Sequence, residues 1–143
     1  MEIVIAVIVG VIIWYVFKAK KAASETSINP NPNNISYAYN IVGEQSYQNN
    51  LKKIAGPKEE ESKFFECYAK VSSEPFNQYD KNAVKVEING LTVGYLSKSE
   101  AAKLSGKMVN KTVPAVIDGG WFDADGEGSY GVKLAVNNVN DLL

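Results

Sequence analysis

The 143 residues carry 15 lysines, no arginine and 16 acidic residues, a formal net charge of −1. A chain of this length holds one ordinary domain with a little to spare, and it lacks the basic excess that blanket neutralisation of duplex phosphates requires. With no histidine and a single cysteine, Cys67, it assembles no Ser/His/Asp or Cys/His pair, lacks the commonest metal ligand and forms no internal disulfide, so neither an enzyme, a metal site nor a cofactor is expected.

The first element is the uncharged run 3–17, "IVIAVIVGVIIWYVF". With Met1 and the flank 19–23 it reaches the ~20 residues that a helix needs to cross a bilayer core. A signal peptide places positive charge before its apolar core and small residues after it. Here Glu2 precedes the run and Lys18, Lys20 and Lys21 follow it. Val and Ile on every face leave no polar stripe for a surface helix. Trp14 and Tyr15 near the C-terminal end suit the lipid–water interface, and the lysines behind them set a positive-inside orientation. The expectation is a single-pass membrane anchor over 1–23, with the N-terminus outside and the remainder in the cytoplasm. The Asn- and Pro-rich stretch 24–34, "SETSINPNPNN", reads as a linker.

From Ile35 onward, 12 lysines face 14 acidic residues. "ISYAYNIVGE" (35–44) alternates as a first strand. "SYQNNLKKIAG" (46–56) spaces Tyr47, Leu51 and Ile54 at helical intervals and stops at Gly56. "KFFECYAKVS" (63–72) is a second strand. "AVKVEI" (83–88) and "LTVGYL" (91–96) flank Asn89-Gly90, the strongest short hairpin signal. Ser97 opens a second helix with Glu100 completing a capping box. "KTVPAVID" (111–118) and "YGVKLAV" (130–136) are the last strands, joined by a long Gly- and Asp-rich loop, "GGWFDADGEGS". The domain 35–143 is therefore α+β, mainly β, with about six short strands and two small helices. A small, partly closed barrel is the simplest way to manage its edges.

Few stretches carry chemistry. Cys67 alternates with Phe65 and reads as a small buried residue. "DADGEG" (123–128) has the flavour of a calcium loop, but its twelfth position is Leu134 rather than an acid. The sequons at Asn34 and Asn110 would never meet the glycosylation machinery from the cytoplasm. That leaves "EPFNQYDKNAV" (74–84). On spacing alone it is a polar turn, with Pro75 ending a strand and Asn77 and Asp80 capping their own backbone.

The order of features is more specific than the turn. Val42-Gly43, Tyr47, Glu74-Pro75, Asn77, Tyr79-Asp80, Asn82-Ala83, Val84, Val86, Gly90, Val93-Gly94 and Tyr95-Leu96 follow one another. That succession resembles the HIRAN domain, a module of some DNA-repair translocases that also occurs as a stand-alone bacterial protein, and it covers nearly all of residues 37–136. The resemblance implies a modified OB-like or SH3-like barrel of six strands that binds the 3′ end of single-stranded DNA. By position, Tyr47 and Tyr79 become stacking residues and Asp80 the acceptor of the 3′-hydroxyl, with Trp121 or Phe122 as a late-loop aromatic. DNA-binding members carry an Arg and a further aromatic where this chain has Gln45 and Ser46. Lys81, Lys85 and Lys98 are the local cations, and lysine supplies a point charge without the guanidinium fork. A second reading keeps the barrel as a membrane-tethered protein-interaction module, its partner unspecified and its nucleic-acid cleft silent.

Overall fold

The computed structural model describes residues 35–143. The expected anchor over 1–23 and the linker 24–34 lie outside the described residues. Among the described residues no helix is long and apolar enough to cross a membrane.

The short sequence periods fold as one curled antiparallel sheet. In chain order its strands are β1 (Tyr39–Asn40), β2 (Lys63–Ser73), β3 (Val84–Ile88), β4 (Leu91–Tyr95), β5 (Asn110–Asp123) and β6 (Gly126–Leu134). They line up as β1-β6-β5-β2-β3-β4, every pair antiparallel. Just past β1, Val42 exchanges two backbone hydrogen bonds with Tyr95, at 2.8 and 2.9 Å. One short segment thus touches β6 at one edge of the sheet and β4 at the other, and it occupies the sheet edges at those points.

Two short helices close the ends of the curl. A 3-10 turn (Glu44–Tyr47) runs into α1 (Gln48–Ala55), and α2 (Lys98–Lys103) follows β4. The core lies inside the sheet, where alternate strand residues such as Val71, Val86, Ala115 and Leu134 meet Leu51 of α1 and Ala101 of α2. No polar or charged side chain is buried among the described residues. Cys67 is half-buried against this core, and burial first, then Glu66, pushes its thiol up to about 11.

Three sequence expectations are corrected. The strand expected over 35–44 shrinks to Tyr39–Asn40, because the chain leaves β6 for β4 at Val42. The loop expected over 119–129 is instead the far half of the β5–β6 ribbon. Gly119 and Gly120 adopt φ of 67° and 62°, a region open to glycine, and the ribbon bends there before pairing resumes at Trp121 and Gly128. Asp123 Oδ1 then accepts from the amides of Asp125 and Gly126 and caps the tip. At α2, Ser97 Oγ accepts from the Glu100 amide at 3.3 Å as expected. The Glu100 carboxylate does not return to Ser97. It pairs with Lys103 at 3.0 Å. The reciprocal box lies at Asn138 and Asp141, which cap the final 3-10 turn (Val139–Leu142).

Candidate functional site

The stretch 74–83 is a loop whose two ends are hydrogen-bonded, Glu74 N–H donating to Ala83 O at 2.8 Å. Its side chains build it from within. Asn77 Oδ1 accepts from the amides of Tyr79 and Asp80, at 2.9 and 3.0 Å. Asp80 Oδ1 accepts from the Asn82 amide at 2.9 Å, and Asn82 Oδ1 accepts from Ser105 Oγ beyond α2 at 3.0 Å. Short polar side chains that bond the backbone two or three residues away are what lets such a tight loop form.

Glu74 fixes the foot of the loop. Its Oε1 accepts from Asn77 Nδ2 at 2.7 Å and from the Tyr95 hydroxyl at 3.2 Å. Its Oε2 lies 3.5 Å from Lys85 Nζ, which also pairs with Glu87 at 2.6 Å. The Asn77 amide above all, with Tyr95 and Lys85, holds the Glu74 carboxyl below its usual range against an opposing effect of burial. Burial, then the Tyr47 phenol and Glu74, push the Tyr95 phenol up. Glu74 is therefore an ionised acceptor and Tyr95 a protonated donor.

Beside this loop is an open cleft of about 590 Å³ lined by Tyr47, Tyr79, Asp80, Tyr95, Leu96 and Lys98, among others. Tyr47 is placed by its neighbours in sequence. Gln48 bonds both ways with the Tyr130 backbone on β6 at 2.9 Å, and Asn50 donates to Thr92 O on β4 at 2.8 Å. The Tyr47 ring leans on Tyr95, centroids 6.4 Å apart and planes tilted by 45°. Tyr79 is the opposite case, with 87% of its surface in solvent. Asp80 keeps Oδ2 with no partner among the described residues. Lys98 has no acidic partner among them.

Four of the residues read from the sequence thus meet in one cleft: Tyr47, Tyr79, Asp80 and Lys98. The rest do not. Lys81 lines a separate cavity of about 410 Å³ with Lys107 and Met108. Lys85 is held between two glutamates. Trp121 lies in the ribbon, its indole against Gly128, and Phe122 lines another cavity of about 490 Å³ with Lys52 and Tyr130. Gln45 bonds Ser129 at 3.5 Å, and the Ser46 amide bonds Gly43 O at 3.1 Å.

One residue of the cleft and one of the neighbouring loop were not singled out from the sequence. Tyr95, read only as a strand residue, supports Tyr47 and Glu74 together. Phe76, 97% exposed on the same loop as Tyr79, is an apolar side chain inside a polar turn with no core to enter, and that mismatch was its signal. No family model, no curated protein and no solved structure matches the chain.

Proposed function

We propose that the chain is a membrane-anchored, cytoplasm-facing module of HIRAN type, an OB-like barrel without catalytic activity that holds the 3′-hydroxyl end of single-stranded DNA. The observation that carries this reading is the meeting of Tyr47, Tyr79, Asp80 and Lys98 in one open cleft. Tyrosine faces stack on any base, at ~1–3 kcal/mol per base. The open Oδ2 of Asp80 accepts a terminal hydroxyl and repels a terminal phosphate. Lys98 supplies one phosphate contact. Lone point charges of this kind grip more weakly than guanidinium forks, so binding is modest and salt-sensitive.

The test is a titration of the full chain in detergent micelles with short single strands and with blunt duplexes of the same sequence. Saturable binding of the single strands alone is expected. Negligible binding of both overturns the proposal.

One observation favours the second reading, a tethered protein-interaction module. Lys85, the strand lysine nearest the loop, is engaged by Glu74 and Glu87, in a domain already net negative. Crosslinking in native membranes that captures one protein partner and no nucleic acid would select it.

A further inference from the structure

The outer face of the sheet carries an aromatic patch that neither the core nor the cleft uses. Along β2, residues 64, 66, 68 and 70 point away from the core, as strand alternation requires. Phe64 is 56% exposed and Tyr68 70% exposed. Tyr37, just ahead of β1, packs edge-on against Phe64 with centroids 6.0 Å apart, and its hydroxyl donates to Glu66. Beside them on β5, paired with Glu66 and Tyr68, are Val116 and Pro114. Val116 is 2% exposed yet stands outside the core cluster. The charges around the patch nearly balance: Glu66, Lys70 and the Asp118–Lys133 pair at 3.2 Å.

The position of Tyr37 in the chain says what such a face meets. Only 13 residues separate it from Ala23, the end of the expected anchor. For an unstructured chain of that length the average span is ~20 Å. A domain of about 110 residues has a radius of gyration of ~13 Å, so that average span is no greater than the width of the domain. With an anchor at that separation, the face carrying Tyr37 is within reach of the bilayer, and it exposes Tyr68, an amphipathic ring suited to the interface, and Phe64, an apolar ring that gains by leaving water.

We infer that Tyr37, Phe64 and Tyr68 dock on the surface of the bilayer, seating their rings at the boundary between headgroups and acyl chains. The inference rests on the anchoring part of the proposed function and is independent of DNA binding. Because the patch is nearly neutral, the contact is apolar and needs no anionic lipid. None of the patch residues lines the cleft, so docking leaves the cleft free to accept a strand end.

The experiment uses the full chain in phosphatidylcholine vesicles, with Cys67→Ala and a fluorophore on Lys70→Cys beside the patch or on Asp125→Cys at the ribbon tip. Acyl chains brominated near the headgroup are the quencher. Quenching and a blue shift at position 70, absent at position 125, are expected. Phe64→Ser with Tyr68→Ser, or the milder Tyr68→Lys alone, should bring position 70 down to the level of the tip without changing strand binding. Equal quenching at both positions, or quenching indifferent to these variants, overturns the inference. So does a signal at position 70 that follows protein-to-lipid ratio rather than bromine, which would assign the patch to a second copy. A chain that floats with vesicles and is not quenched defeats docking alone. One that fails to float defeats the anchor, and docking with it.

Discussion

The Tyr95 hydroxyl donates to Oε1 of Glu74 at 3.2 Å, and through that bond the floor of the cleft holds the foot of the loop that presents Tyr79 and Asp80. The acceptor must be ionised to take Tyr95, Asn77 and Lys85 together. Its folded-state pKa lies below the ordinary glutamate value of 4.5. The contribution is therefore fully present above that value and is lost as pH falls from there through the folded pKa.

An NMR titration of the Glu74 carboxyl checks this. Its midpoint should fall below 4.5, and Asn77→Ala, which removes the largest cause of the depression, should move it upward. Amide exchange at Tyr79 and Asp80 should quicken over the same acid range. A midpoint at or above the ordinary value contradicts the account of the loop.

Gly94→Ala should destabilise the domain by ~1–3 kcal/mol, the usual effect of overpacking. A Cβ at that position would lie 2.6 Å from the Val42 carbonyl oxygen and 2.8 Å from Ile41 Cδ1, where the chain bridges the two sheet edges. Urea unfolding measures the loss. An unchanged midpoint would mean that the Val42–Tyr95 bridge yields freely.

Tyr79→Ala removes a ring that touches little of its own domain, so stability should hold while strand affinity falls roughly 5- to 150-fold. Anisotropy titrations beside a thermal melt separate the two. Equal losses in both would make Tyr79 a structural residue.

Much of the local structure was legible because its causes are local. Asn89 and Gly90 adopt the positive φ values, 52° and 77°, that a tight hairpin turn demands. Leu51 and Gly56 placed and stopped α1 as their spacing required. The ribbon beyond Gly119 was not legible. Glycine and aspartate are loop residues by propensity, and only pairing with each other across the tip turn makes strands of 119–123 and 126–129. The first strand failed in the opposite sense, since its alternation says nothing about a chain that changes neighbours at Val42. Of the cleft, Tyr47, Tyr79 and Asp80 were found through the order of motifs along the chain, whereas the polar residues between them prove to be the scaffold. Glu74, Asn77 and Asn82 are engaged in holding the loop, which leaves Tyr79 and one oxygen of Asp80 to face a ligand. Trp121 and Phe122 were drawn towards the cleft by their expected place in a loop, and the ribbon carries them elsewhere.

The central claim is that Asp80 reads a free hydroxyl at the end of a strand. The most direct measurement compares affinities for one short single strand ending in a 3′-hydroxyl or a 3′-phosphate, in the unmodified chain and in Asp80→Asn. The amide oxygen of the variant can still accept from the Asn82 amide, so the loop is preserved while the charge is removed. The account predicts preference for the hydroxyl end in the unmodified chain and its collapse in Asp80→Asn. Equal affinity for both ends in the unmodified chain, or a preference that survives the substitution, would contradict it.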